Sequence, residues 1–443
     1  MVTTITLVRG CSSLITRVRL RLAFESLAVL VSFVQDPAAE HLLRHRTNHR
    51  FRGMFFGISG REPQRPCLAE IRGGKNLYVE RRKPILGVQT SSVRQGVIRK
   101  YRDWLPEIPD DSIATLGEGD TPLIEAPRLS ERVGARLYLK FEGMNPTASF
   151  KDRGMTVALS RAVAEGSRAC VCASTGNTAA SAAAYSARAG ISCFVVVPAG
   201  KIALGKAVQV LAHGAEVIQI EGNFDAALRL SQKTAKELGD VALVNSVNPN
   251  RIEGQKTASF EVCESLGRPP DALALPVGNA GNITAYWKGF KEWQEAGLAD
   301  TTPRMLGFQA EGASPLVAGR DFENPETVAS AIRIGAPASR EGALGAMRES
   351  GGLIESVTDE EILAAQRMIA REEGVFCEPA SAAGIAGLLK LTREGRGPEG
   401  VVVSILTGHG LKDPDVILSN TKLPDPIPAT FEALVESMER AAR

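Results

Sequence analysis

The sequence predicts an α/β protein of two domains, each an open parallel sheet with helices on both faces. Two observations carry that expectation. Strand-like apolar runs alternate with amphipathic helical runs from residue 136 onward, and four loops that follow predicted strands are rich in Gly, Ser, Thr and Asn. Alternation of this kind over such a length builds a parallel sheet covered by its crossover helices. The 443 residues suffice for two such domains, and no period of about 20 to 50 residues marks a repeat array.

In chain order, the first 86 residues stand apart. Up to residue 74 every basic side chain other than histidine is Arg, and His41, His45 and His49 supply three of the five histidines. Arg17, Arg19 and Arg21 precede an apolar run at 22–34 that Glu25 interrupts. That run is too short for a bilayer span, which needs about 20 residues. The arginines resemble the charged start of a targeting peptide, yet no small-residue cleavage site follows. Residues 1–86 are expected to be a poorly structured or spuriously translated leader, because an Arg-only stretch can reflect a GC-rich reading frame.

Residues 93–105 then suit a helix, and GEGDTPLIEAP at 117–127 has the Gly and Pro punctuation of a loop. Strands are expected at 136–141, 169–173, 193–198, 216–220 and 241–245, followed in turn by helices at 151–164, 178–189, 204–213, 224–238 and 255–266. Further strands fit 272–277, 305–309 and 401–406, with helices at 359–372 and 380–391. The smaller domain is expected at 162–246, inserted into a larger one formed by 87–161 and 247–443.

With 52 basic against 50 acidic residues, the formal charge of +2 gives no attraction for nucleic acid or a membrane surface. The seven cysteines are odd in number and lack CxxC spacing, which fits reduced core residues of a cytosolic protein and no metal site.

An open parallel sheet binds ligands at the carboxyl ends of its strands, where helix N-termini also point. In NPTASFKDRG, Lys151 sits where a helix begins, the end that prefers Asp or Glu. Either the lysine is incidental there, or it is there for its amine. PVGNAGN (276–282) opens onto a helix, and its successive amides suit a phosphate smaller than a nucleotide; a merely tight glycine turn is the bland alternative. STGNTAAS (174–181) gathers Ser174, Thr175, Asn177 and Thr178 at a helix start, where capping alone explains one or two of them. Thr407 ends a strand and by itself reads as structural. Together, an amine, a phosphate cradle, an amide and a hydroxyl are the parts that hold pyridoxal 5'-phosphate as a Schiff base.

From about residue 87 the chain resembles threonine synthase, of the second fold type of pyridoxal-phosphate enzymes, through GEGDTPLIEAP, KFEGMNPTASFKDRGM, ASTGNTAASAAAYSARAG, NSVNPNRIEGQKT, PVGNAGNITAYWKG, EPASAAGIAGL and LTGHGLKDP. The resemblance implies that Lys151 is the Schiff-base lysine, that Gly278, Asn279, Ala280, Gly281 and Asn282 hold the cofactor phosphate, that Asn177 bonds the phenolic oxygen and that Thr407 meets the ring nitrogen. The implied substrate is O-phosphohomoserine, with its carboxylate near Ser174, Thr175 and Thr178 and its phosphate near Asn245, Ser246 and Arg251. Taken without the family, Arg251 reads as a surface charge. The implied reaction is γ-elimination of phosphate and addition of water at the β carbon, in a cytoplasmic homodimer. Two departures stand out, Ala148 in place of Gly and Ala179 in place of Ser. A threonine dehydratase-like lyase and a non-catalytic ligand-binding homologue are the alternatives. The GNAGN loop weighs against the first and the intact Lys151 against the second.

Overall fold

The computed structural model describes residues 2–8, 15–23, 26–33, 94–200, 204–419 and 424–441. They divide into two units, Met1–Val88 and Gln89–Arg443. In the first, strands β1 (Val2–Val8), β2 (Ile15–Ala23) and β3 (Ser26–Phe33) form an antiparallel ladder. Arg17, Arg19 and Arg21 lie in β2, alternating with Val18 and Leu20. The rest of the leader, and with it most of the expectation for residues 1–86, lies outside the described residues.

The second unit contains β4 (Leu123–Glu125), β5 (Arg136–Phe141), β6 (Ala169–Ala173), β7 (Ser192–Pro198), β8 (Glu216–Ile220), β9 (Val241–Leu243), β10 (Ala272–Pro276), β11 (Arg304–Ala310), β12 (Leu353–Val357) and β13 (Val401–Leu406). One sheet has the order β12-β11-β10-β13-β5-β4, with β4 alone antiparallel to its neighbour. The other, β8-β7-β6-β9, is parallel throughout.

The sequence of β10, ALALP, explains its central place. Every residue is buried, as expected of a strand covered on both faces. Because side chains alternate, Ala272 and Ala274 join the core built on helix Pro379–Arg393, while Leu273 and Leu275 join the core built on helix Gly281–Glu295. The parallel register of β5, β13 and β10 brings Phe141, Leu406 and Pro276 to one sheet edge, and with them three of the four loops singled out in the sequence.

Some element boundaries differ from expectation for identifiable reasons. The helix expected from 255 starts at Pro249, because the Asn248 side chain accepts from the Asn250 amide (3.0 Å) and Pro249 is preorganised for a first helical position. The expected helix 93–105 breaks after Gly96–Lys100 into a short 3₁₀ turn at Arg102–Trp104, which places Tyr101 and Trp104 against Phe260, ring centroids 5.4 and 4.8 Å apart. β4 lies inside the segment expected to be a loop, pairing with β5. β12, LIESV, carries too weak an apolar signal to read, being only partly buried at its first four positions.

Helices Lys151–Ala164 and Pro249–Leu266 touch backbone to backbone. A Cβ at Gly254 would stand 1.9 Å from the Arg153 carbonyl oxygen, so only glycine permits this approach.

Candidate active site

Lys151 is the first residue of helix Lys151–Ala164, and its neighbour Asp152 satisfies the loop before it. The Asp152 carboxylate accepts from the Thr147 amide (2.7 Å), the Thr147 hydroxyl (2.5 Å) and the Ser181 hydroxyl (2.6 Å). Burial nevertheless pushes it up to about 6. The acid that a helix start prefers is therefore present, one residue after the lysine. The Lys151 amine makes no hydrogen bond among the described residues and lies 4.3 Å from the Phe150 ring centroid. Burial, then the nearby Arg251 guanidinium, bring it down to about 7, against the opposing pull of the Glu378 carboxylate. Near neutral pH it is thus poised between donor and acceptor.

The loop is laced to the end of β13. The Phe150 amide donates to the Thr407 carbonyl (2.9 Å) and the His409 amide to the Ala148 carbonyl (3.0 Å). This holds Ala148 at φ +64°, in the left-handed region, which costs a residue with a Cβ about 1–2 kcal/mol. Ala148→Gly is expected to stabilise the protein by about 0.5–1 kcal/mol after the added freedom of the unfolded glycine is subtracted. A rise in thermal midpoint would show it; an unchanged or lower midpoint would contradict the strain.

Asn177 and Thr407 meet at Glu378. The Asn177 amide donates to both Glu378 oxygens (3.2 and 3.0 Å), and the Thr407 hydroxyl lies 3.5 Å from Oε1 and 3.0 Å from the Ser381 hydroxyl. Burial raises the Glu378 carboxyl above its ordinary range while Asn177 pulls it back. No role was read for Glu378 in the sequence. It stands before Pro379 at the N-terminal boundary of helix Pro379–Arg393.

The loop Gly278–Asn282 leads into helix Gly281–Glu295. Its backbone amides, at Gly278, Asn279, Ala280, Gly281 and Asn282, donate no hydrogen bond among the described residues. Asn279 receives the Ala338 and Ser339 amides, and Asn282 donates its side chain to the Pro276 carbonyl (2.6 Å), so both side chains brace the turn. Ala280 stands at φ +65°, and a Cβ at Gly278 would come within 3.0 Å of Ile332 Cα. Successive unspent amides at a helix start fit a phosphate group.

Ser174, Thr175, Asn177 and Thr178 are partly exposed around the start of helix Asn177–Ala189, and Ser174 accepts from the Gly176 amide (3.2 Å). Asn245 is differently employed: its amide receives the Ala173 N–H (3.0 Å) and donates to the Ala173 carbonyl (2.9 Å), joining the ends of β6 and β9. Ser246 is half-buried next to it. Arg251 is not the surface charge that its residue type implies, because only 1% of it is exposed. It lies in the first turn of a helix packed against another backbone, where Nη1 donates to the Val244 carbonyl (3.1 Å) and Nε and Nη2 have no partner. Ser149 Oγ, beside the Phe150-Lys151 step, is likewise buried and unpaired. Unspent buried donors of this kind call for a bound group.

Behind the loop lies a charge cluster that the sequence did not reveal. Arg153 pairs with Glu142 (2.7 Å) and Glu261 (2.6 Å), and Lys140 with Glu261 (2.7 Å), all four almost fully buried. Asn145 and Thr121 also bond Glu142. The five described cysteines, Cys170, Cys172, Cys193, Cys263 and Cys377, are buried and free.

The family described as pyridoxal-phosphate dependent enzyme matches residues 114–408. The chain is similar to the threonine synthase of Mycobacterium leprae, with 58% identity over 344 residues covering 77% of this chain and 96% of that one. Against the threonine synthase of Halalkalibacterium halodurans the identity is 53% over 347 residues, covering 78% and 98%. Among solved structures, a threonine deaminase from T.th. is similar with a TM-score of 0.56 at 27% identity, covering 69% and 94%.

Proposed function

The chain belongs to the pyridoxal-phosphate-dependent enzymes and, within them, to the threonine synthases; from that premise we propose that it converts O-phospho-L-homoserine and water to L-threonine and phosphate at the Lys151 site. The observation that carries this assignment is the convergence, at the ends of β5, β10 and β13, of an unpaired amine and a row of unspent amides, with an unpaired buried guanidinium on the adjoining helix.

Lys151 would hold pyridoxal 5'-phosphate covalently, the amides of Gly278 to Asn282 its phosphate, Asn177 its phenolic oxygen and Thr407 its ring nitrogen. When bound, the cofactor supplies an electron sink that stabilises negative charge on the substrate's carbons. The chain's own groups do the rest. Lys151 Nζ, held near neutrality by burial and Arg251, removes the α proton and later returns a proton to carbon. Ser174, Thr175 and Thr178 offer hydroxyls and amides to the substrate carboxylate. Arg251 and Ser246 are offered to the substrate phosphate, two of whose oxygens the planar guanidinium fork can bind at once. Asn245 shapes this pocket through Ala173 and need not touch substrate. Glu378 aims the Asn177 amide.

Release of inorganic phosphate from O-phosphohomoserine, without oxobutyrate from threonine, is the test. Oxobutyrate as the principal product would instead make the enzyme a dehydratase, and neither product a non-catalytic homologue. The same reading makes the protein a cytoplasmic homodimer; among the described residues no helix is long and apolar enough to cross a membrane. Chains lacking residues 1–86 are expected to keep full turnover, since the family match begins at residue 114. Loss of active protein on that deletion would give the leader a structural role.

A further inference from the structure

Ser381 lies in the first turn of helix Pro379–Arg393 and is fully buried. A serine near a helix start ordinarily bonds backbone close to it in sequence. This one instead serves the end of β13: its Oγ accepts from the Gly408 amide (2.9 Å) and lies 3.0 Å from Thr407 Oγ1 and 3.2 Å from the Gly408 carbonyl oxygen. The Thr407 carbonyl in turn receives the Phe150 amide (2.9 Å), one residue before Lys151.

A hydroxyl has one proton to give, and its neighbours decide where it goes. The Gly408 amide fills an acceptor position on Ser381 and takes no proton from it. The Gly408 carbonyl already receives the Glu378 amide (3.0 Å) and is the longer of the two remaining contacts. Thr407 Oγ1 is nearer, and no other group among the described residues donates to it. Ser381 therefore donates to Thr407. That leaves the Thr407 proton over, because its other acceptor within reach is Glu378 Oε1 at 3.5 Å, well beyond the usual hydroxyl bond of about 2.5–3.0 Å. Both Glu378 oxygens are in any case engaged by the Asn177 amide. A buried donor without a short acceptor calls for a bound group.

We propose that Ser381 is a positioning residue for the cofactor ring: its hydroxyl donates to Thr407 Oγ1 and so commits the Thr407 proton to the ring nitrogen. This rests on the reading that Thr407 meets that nitrogen, and it adds the group that fixes the direction of the bond. Without Ser381, the Thr407 hydroxyl is free to turn its proton toward the Gly408 or Glu378 oxygens, and the ring nitrogen loses its donor.

The test compares two cofactors on the full chain freed of its own: pyridoxal 5'-phosphate, and its deaza analogue, in which carbon replaces the ring nitrogen and accepts no hydrogen bond. Both carry the aldehyde that reacts with Lys151, so visible absorbance gives each affinity. The wild type is expected to prefer pyridoxal 5'-phosphate, and Thr407→Val to lose that preference. Ser381→Ala should shrink it about two- to tenfold, the worth of one hydrogen bond, while the affinity for the analogue changes much less. A serine that merely clamps its helix to the loop would weaken both cofactors alike and leave the preference intact, which overturns the proposal. If Thr407→Val keeps the preference, the ring-nitrogen reading fails and the proposal with it; if Thr407→Val loses it and Ser381→Ala does not, the Ser381 role alone fails. Should Ser381→Ala not fold, Ser381→Cys replaces it, because a thiol is a weaker donor: a narrowed preference supports the role and an unchanged one overturns it. Nitrogen-15 NMR of ring-labelled cofactor on the wild type adds a second check, since a ring nitrogen that carries its own proton at neutral pH would overturn the direction assigned to the bond.

Discussion

Replacing Lys151 by Ala is expected to abolish turnover, with a loss of at least about a hundred- to ten-thousandfold from general acid-base catalysis alone and more from the lost covalent attachment. The fold should survive. The Lys151 amine has no hydrogen-bond partner to orphan, and the helix keeps Asp152, whose bonds to Thr147 and Ser181 tie down its first turn. Removing a half-buried amine that the site holds well below the ordinary lysine value also relieves part of a desolvation cost. Phosphate release, borohydride-fixable visible absorbance and circular dichroism together check this. A variant that turns over normally would end the role given to the amine.

Arg153→Met is expected to lower stability by about 3–5 kcal/mol. The mechanism is the reverse of that for Lys151, because here the partners are left behind: Glu142 and Glu261 would be buried with Lys140 as the remaining cation. In the native protein Arg153 is the chief attraction that holds both carboxyls below their ordinary range against burial. A depressed carboxyl contributes stability that is complete above its unfolded value, about 4.3 for Glu, and is lost as the pH falls from there through the folded value. The wild type should therefore weaken in acid over that window, and Arg153→Met should show less of that dependence. Urea unfolding of the cofactor-free chain at several pH values measures both. An unchanged midpoint would mean that the cluster is compensated elsewhere.

Much of the site was legible because the chemistry sits in loops whose composition is abnormal for packing alone. Lysine at a helix start, an unbroken small-residue turn after a buried strand and more hydroxyls before an alanine-rich helix than capping needs are each unusual, and each follows the carboxyl end of a strand of a parallel sheet. Glu378 and Arg153 gave no such sign. A glutamate before a proline and an arginine inside a helix are locally ordinary, and become unusual only when neighbouring chain segments bury them. Arg251 misled for the same reason, since residue type alone places it in solvent. β12 and β4 escaped because edge strands are short and half-wet, without the apolar continuity that marks β10.

What the sequence determined by itself was the alternation of the buried strands with helices, the loops that carry reactive groups and, through seven motifs in order, the cofactor class. Those follow from short-range periodicity and from residue types whose chemistry needs no partner to be recognised. The tertiary structure alone decided which charges are paired, which donors are left over and how far the Lys151 amine departs from an ordinary lysine. Proton affinity and hydrogen-bond satisfaction depend on burial and on neighbours a hundred residues away, as between Lys151 and Arg251, and no local pattern encodes them.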